Sequence, residues 1–443
     1  MHTHFQNKKF QKFLALSALC AGMAAAMPSA HAANWIMLQG TEPAGTAPRA
    51  DVWGFIQPTY SKDFSSPYAG KYNPSKLIGP SLDSQSSFGI QRARIGVRGT
   101  GFPLDSKINY FLLTEFGDNV LTDGGAYGSY KPVLTDASVT LNYIKGARIR
   151  LGLFKYPGAE EGLQGINLFP YINYTDVTNQ MLLERFPTKG EVNIAPQPTP
   201  NANMNAFSQP GGAFRDVGVQ VFDAFDMGNW EHTYAIMLGN GHGVQMSDNN
   251  SSKDLYLYWS SAYLFDKNAK GAFQPSVKMF TWYQNGKRTD VWNTSQEQDR
   301  KRYGAGVTYM KMPFRATAEY MWGRGMIFQG AQNPGNGTTT AATIFNDNKA
   351  AGGYIEGGWY IPNSKWELDL RYDTYKRNIG VMSGPMPEAK FSTWTTGVNY
   401  HFNKKTRFTL NYAFRKDSAV TTAVNNQLKD VKGLLSLQVT AAF

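Results

Sequence analysis

The chain has 443 residues, 42% of them hydrophobic and 14% aromatic, with a net charge of +11 and a mean hydropathy of −0.40. Cys20 is the only cysteine, which excludes a disulfide framework, a thiolate metal site and a covalently attached c-type haem. The basic residues are dispersed rather than blocked, which excludes a nucleic-acid patch.

Residues 1–32 read as a secretory leader. Lys8, Lys9 and Lys12 precede the apolar run FLALSALCAGMAAAM (13–27), and Ala30-His31-Ala32 supplies a small-residue cleavage site. The run is short of a membrane span and no basic stop follows it, so cleavage after Ala32 is expected rather than anchoring. Leu19, just ahead of Cys20, is the wrong type for a lipoprotein site. Cleavage removes the single cysteine and leaves a milder basic balance.

Residues 33–50 make a short N-terminal segment, and 51–443 carry a different pattern. Apolar and polar residues alternate over about ten positions, as in SVTLNY (138–143), WELDLRYDTY (366–375) and WTTGVNYHF (394–402). Period two predicts strands with one apolar and one polar face. Sixteen such segments centre near residues 55, 94, 111, 139, 151, 219, 235, 258, 280, 306, 319, 357, 370, 398, 410 and 438.

The connections between them alternate in length. TGFPLD, IKG, DAFDMGN, DKNAKGA, KMP, PNS and NKK are short; GDNVLTDGGAYGSYKPVL, 156–213, GNGHGVQMSDNNSSK, QNGKRTDVWNTSQEQDRK, 323–351, 376–390 and 415–431 are long. That segregation predicts an all-β fold, a transmembrane antiparallel barrel of about sixteen strands with short turns at one end and long loops at the other. Closure follows from the bilayer, where an unpaired strand edge has no water to bond. Trp259, Trp322, Trp359, Trp366 and Trp394 fall on the outward parity, and the last strand, LLSLQVTAAF, ends on Phe443.

Parity also orients the charges. In FGIQRARIGVRGTG (88–101), Arg92, Arg94 and Arg98 share one face. A lipid-facing arginine at mid-bilayer costs roughly 2–4 kcal/mol, so these three are expected to face the lumen or an interface. Lys107, Arg148 and Arg150 are expected to turn inward with them, against Glu115 and Asp136. On later strands Arg315 and Arg371 face Glu319, Glu356, Glu367, Asp369 and Asp373. The connection 156–213 carries Glu160, Glu161, Asp176, Glu184 and Glu191 against Arg185 and Lys189. A loop of that length is expected to fold inward and narrow the channel, setting its acids across from the basic wall; the bland alternative is that these charges only solvate a polar lumen.

In order along the chain, IQRARIGVRG, LTDASVTLNY, RIRLGLFKYPG, LLERF, FRDVGVQVF, YAIMLGNGHG, ATAEYMWG, GGYIEGGWYI, ELDLRYDTY and TTGVNYHFNKKTRFTLNY resemble the phosphate-selective porin O and P family. The resemblance runs from about residue 50 to the C-terminus. It implies a sixteen-stranded, homotrimeric outer-membrane porin with an inward third loop, whose arginine ladder and lysine cluster guide small anions, phosphate among them. Arg92, Arg94 and Arg98 match the arginine-bearing second strand, and Lys155 stands where the family's FK-P lysine falls. The third loop here is acidic and lacks an arginine run, so the selectivity expected is weakly anionic, with Arg92, Arg94, Arg98, Lys107, Arg148, Arg150 and Lys155 as the basic wall.

Catalytic constellations are poor. His232, His242 and His401 are widely separated beyond the leader, GNGHG (239–243) lacks strand–helix context, and SDNNSSKD (247–254) lacks the spaced ligands of a calcium loop. No catalytic set, metal or cofactor is expected; the partners expected are outer-membrane lipid, small anionic solutes and further copies of the chain. Two other readings stay open: a barrel hydrolase seeded on His242, and a sheath for a periplasmic electron-transfer partner.

Overall fold

The computed structural model describes residues 34–38, 50–65, 86–101, 105–119, 121–122, 131–184, 212–269, 271, 273–289, 296–331, 342–345, 347–384 and 387–443. The leader 1–32 and residues 185–211 of the long connection, with Arg185, Lys189 and Glu191, lie outside them. The alternating segments form sixteen antiparallel barrel strands. In the first half these are β1 (Asp51–Asp63), β2 (Ser86–Thr100), β3 (Ile108–Glu115), β4 (Val133–Leu141), β5 (Arg148–Lys155), β6 (Arg215–Met227), β7 (Trp230–Gly239) and β8 (Asp254–Leu264). In the second half they are β9 (Ser276–Thr289), β10 (Glu297–Lys311), β11 (Phe314–Arg324), β12 (Lys349–Tyr360), β13 (Trp366–Arg377), β14 (Ala389–His401), β15 (Thr406–Arg415) and β16 (Leu434–Ala442). Each pairs with its sequence neighbour, and β16 pairs with β1. A short hairpin, Ile327–Ala331 with Ala342–Phe345, stands outside the barrel sheet.

Closure runs to the last residue. The Phe443 N–H donates to the Gly54 carbonyl at 3.0 Å, and the Gly54 N–H returns a bond to Phe443 at 3.3 Å. A Cβ at Gly54 would collide with the Phe443 ring and the Arg94 carbonyl, so glycine is required where the terminal ring lies over β1. The strands thereby close into a ring with no free edge, the condition a bilayer imposes.

Parity holds apart from two bulges: on β4, Leu113 pairs with Asp136 but Thr114 with Leu134, leaving Thr135 over, and the second is on β2. Gln57 pairs with Arg92 but Pro58 with Ile90, leaving Gln91 as a bulge. Proline has no N–H for the ladder, and a bulge at that point lets the pairing resume. Below it Ile95 and Val97 face outward while Arg92 and Arg94 are buried inside. The outward aromatics pair across strands: Tyr303 stacks on Trp322 at 5.4 Å, Trp366 meets Tyr400 at 4.7 Å and Tyr372 meets Trp394 at 4.8 Å.

The strict alternation of connection lengths breaks once. The turn between β8 and β9 spans 265–275, longer than the 290–296 connection between β9 and β10. Much of the stretch QNGKRTDVWNTSQEQDRK is strand, with Thr289 opposite Glu297 and Gln284 opposite Arg302. These strands outrun the apolar band and keep period two with polar residues on both faces, which a hydrophobicity pattern reads as loop. Among the described residues no helix is long and apolar enough to cross a membrane.

Candidate constriction site

The connection after β5 is tied at its root, where the Tyr156 N–H donates to the Phe214 carbonyl at 3.0 Å. Its described part, 156–184, is bonded to inward side chains all round the barrel. Lys155 Nζ donates to the carbonyls of Leu163 (3.3 Å) and Gln164 (2.6 Å), covering the end of the single helical turn Glu160–Leu163. The irregular backbone that follows needs partners for its polar groups. It finds them in Gln57 on Ile166, Arg407 on Phe169 at 2.5 Å, Asn399 on Pro170 at 3.1 Å, and Asn411, which accepts from the Ile172 N–H at 2.8 Å. The chain then climbs through a five-residue π-turn, Thr178–Leu182, held by Arg377 on Gln180 (2.9 Å) and Arg302 on the Met181 carbonyl (3.2 Å).

Apolar residues of the same segment make part of the lumen dry. Leu163, Val177, Met181 and Leu182 belong to one buried cluster with Tyr256, Tyr258, Phe280, Trp282, Tyr354 and Tyr375 from the inward faces of β8, β9, β12 and β13. Tyr156 stacks on Tyr256 with centroids 4.8 Å apart. The segment is thus fixed by a packed core as well as by hydrogen bonds.

Each acid of the segment has a partner on the wall. Glu160 pairs with Lys278 of β9 at 2.7 Å, and Glu161 pairs with Arg371 of β13 at 3.3 Å while accepting from Thr175. Asp176 accepts from Thr393 Oγ1 at 2.9 Å, and its own N–H donates to Asp373 at 2.9 Å. Glu184 lies between Arg288 and Arg300, 2.9 Å from each. Burial opposes its ionisation, but those two guanidiniums outweigh it and hold the carboxyl down to about 2.

The acids expected across from the arginines of β2 to β5 are thus met directly by other partners. Their cations come from β9, β10 and β13, and only long-range packing decides that. Arg94 pairs with Glu115 at 2.6 Å, and Arg92 donates to Gln57 at 3.1 Å with its guanidinium 5.8 Å from the Tyr174 ring. Arg148 pairs with Asp223 at 3.3 Å, and Arg150 is buried over Phe222 at 4.5 Å. Arg98 sits half-exposed at the rim, 3.6 Å from Asp51. Lys107 departs from its expected place on an inward strand face: it is exposed, just ahead of β3, with its ammonium 5.6 Å from the Tyr143 ring.

The acids of the later strands form two groups. Arg315 gathers Glu367 (2.8 Å), Glu356 (3.6 Å) and Asp369. Glu319 accepts from Trp282 Nε1 (2.7 Å), Tyr354 OH (2.9 Å) and the Glu160 N–H (3.2 Å), so it holds the loop backbone rather than a cation. Asp373 lies 3.9 Å from Arg371.

Sequence reasoning missed Arg215, Lys278, Arg288 and Arg300. Arg215 is buried on Asp136 at 3.0 Å. The parity of these four was readable, but Arg288 and Arg300 fell in the stretch taken for loop. His242 contacts the Ser247 carbonyl (3.0 Å) and Asn249 (3.3 Å). Among the described residues no group of three or more His, Cys, Asp or Glu could hold a metal ion.

The sequence matches the family described as phosphate-selective porin O and P over residues 79–440. A search of curated proteins returns no match. Among solved structures, the chain is similar to the outer membrane channel DcaP of Acinetobacter baumannii, with 12% identity, a TM-score of 0.52, and coverage of 91% of this chain and 100% of that one. It is also similar to an anion-selective porin from Comamonas acidovorans (14% identity, TM-score 0.48, 90% and 100% covered) and to the outer membrane protein OmpT of Vibrio cholerae (10% identity, TM-score 0.47, 90% and 99% covered).

Proposed function

We propose that this chain, which belongs to the phosphate-selective porin O and P family, is an outer-membrane diffusion channel with a weak preference for small anions, oxyanions such as phosphate among them. One observation carries the preference. The described acids of the third loop are spent on Lys278, Arg371, Arg288 and Arg300 or on hydroxyl and amide donors. Arg94 is met by Glu115 and Arg215 by Asp136, whereas Arg92 is bonded to the Gln57 amide with its guanidinium 5.8 Å from the Tyr174 ring. A surplus of positive charge in a confined, partly dry passage favours anions over cations. The third loop is the constriction in this reading, and the long-loop end is extracellular. Family and fold point to a channel rather than an enzyme.

Reversal potentials in planar bilayers under a salt gradient test the reading, with chloride, phosphate and a dicarboxylate compared in turn. Arg92→Gln is the cleanest variant, because Arg94→Ala would strand the buried Glu115. Anion preference is expected to fall in Arg92→Gln; a cation-selective wild-type pore would overturn the proposal while leaving the barrel intact.

A homotrimer is part of the same proposal. Exposed residues on β1 to β5 are mainly aliphatic, such as Ile56, Ile95, Leu112, Val139 and Leu151, whereas Trp230, Trp259, Trp322, Trp359, Trp366 and Trp394 all stand on β7 to β14. Tryptophan belongs at lipid headgroups, so an arc without an exposed tryptophan among its described residues (Trp53 of β1 is partly buried) suits contact with another protomer. Leu112→Arg with Val139→Arg is expected to yield folded monomers by native mass spectrometry.

A further inference from the structure

Ahead of the barrel, Asn34 and the helical turn Trp35–Leu38 lie inside it. The Asn34 side chain does two jobs. Its Oδ1 accepts the Ile36 N–H at 3.0 Å, starting the turn, and its Nδ2 donates to Ser260 Oγ at 2.8 Å. Ser260 is on the inward face of β8, toward the short-turn end. Ile36 and Met37 are 2% and 4% exposed and belong to the same buried cluster as the third loop. The Trp35 ring stands beside Gly165 of that loop, 3.6 Å from where a Cβ would be.

The location has a physical consequence. β1 starts at Asp51 on the short-turn end, so residues 34–38 enter the lumen from that end. They belong to no strand, and the apolar sequence WIML would have no reason to lie in a water-filled passage unless it closed against other apolar surface. It does so between β8 and the third loop, adding cross-section to the constriction from below. We propose that Asn34–Leu38 is a lumen plug, seated by the Asn34–Ser260 bond, which limits conductance independently of the third loop.

The inference rests on the channel reading, and two measurements separate them. Deleting residues 34–38 leaves the leader and its expected cleavage site untouched. Single-channel conductance of the deletion is expected to rise at least about twofold, because a sixteen-stranded barrel otherwise leaves an aqueous channel. Cys20 is the only native cysteine and lies in the leader, so Asn34→Cys with Ser260→Cys gives a clean disulfide test. The disulfide is expected to form on oxidation, seen as a shift in gel mobility, and to hold conductance at the wild-type level. Heat-modifiable migration reports whether each variant has folded. Deletion conductance equal to wild type, with the disulfide formed, would overturn the plug alone. Failure of the disulfide to form in a folded barrel would overturn its seat on β8. Absence of conductance from every folded variant would overturn the channel reading and the plug with it.

Discussion

Glu184→Gln removes the carboxylate between Arg288 and Arg300, whose side chains are 8% and 0% exposed, and keeps the shape of the side chain. Arg288 retains Asp254 at 2.9 Å, and Arg300 retains the Gln284 amide oxygen at 3.2 Å. Removing one partner of a buried pair costs about 3–5 kcal/mol. The titration gives a figure of the same size: a carboxyl held at about 2 against its ordinary 4.5 contributes up to about 3 kcal/mol. Because the folded-state value is depressed, that contribution is complete above about pH 4.5 and is lost as pH falls toward 2. About 3 kcal/mol shifts the fraction of channels with the upper part of the loop released by roughly a hundredfold. Wild type near pH 2 and Glu184→Gln at pH 7 should therefore look alike, with larger and noisier single-channel conductance and faster proteolysis of the third loop. The variant should also lose most of the wild type's response between pH 5 and pH 2. Identical conductance and proteolysis in variant and wild type at both pH values, with the barrel folded, would refute the anchoring role.

Three further outcomes follow from the packing. Gly54→Val puts branched carbon where the Phe443 ring and the Arg94 carbonyl already lie, and should lower the yield of heat-modifiable folded barrel several-fold. Arg315→Met leaves Glu356, Glu367 and Asp369 without their shared cation; it should destabilise the barrel by about 3–5 kcal/mol in urea unfolding and move selectivity toward cations. Lys107→Ala should leave reversal potentials within error of wild type, since Lys107 lies in an exposed turn.

The sixteen strands were legible because a barrel wall separates two solvents, and period two records that separation residue by residue. Arg92, Arg94 and Arg150 could be turned inward on the same ground, since lipid would not accept them. What the pattern could not report was a lumen that is partly dry. In LYLYWSSAYL (255–264) both faces of β8 carry aromatics, and Tyr256 and Tyr258 face inward because the third loop brings Tyr156 and Leu163 to meet them. Nothing local to β8 announces that partner, which lies about a hundred residues earlier in the chain. The same limit governs charge. Parity says that Glu160 and Lys278 both belong inside, but their 2.7 Å contact depends on how a loop with no regular repeat settles among many available cations. A charge tally over the lumen therefore misjudges selectivity: it counts Glu160, Glu161 and Glu184 as fields acting across the passage, whereas in the folded chain each is cancelled within hydrogen-bonding distance or little more. The effective charge of the passage is set by what pairing leaves over of either sign, Glu356, Glu367 and Asp369 sharing the one Arg315, and Arg92, bound to Gln57 and facing Tyr174, is the cation on which the proposed preference is most directly tested.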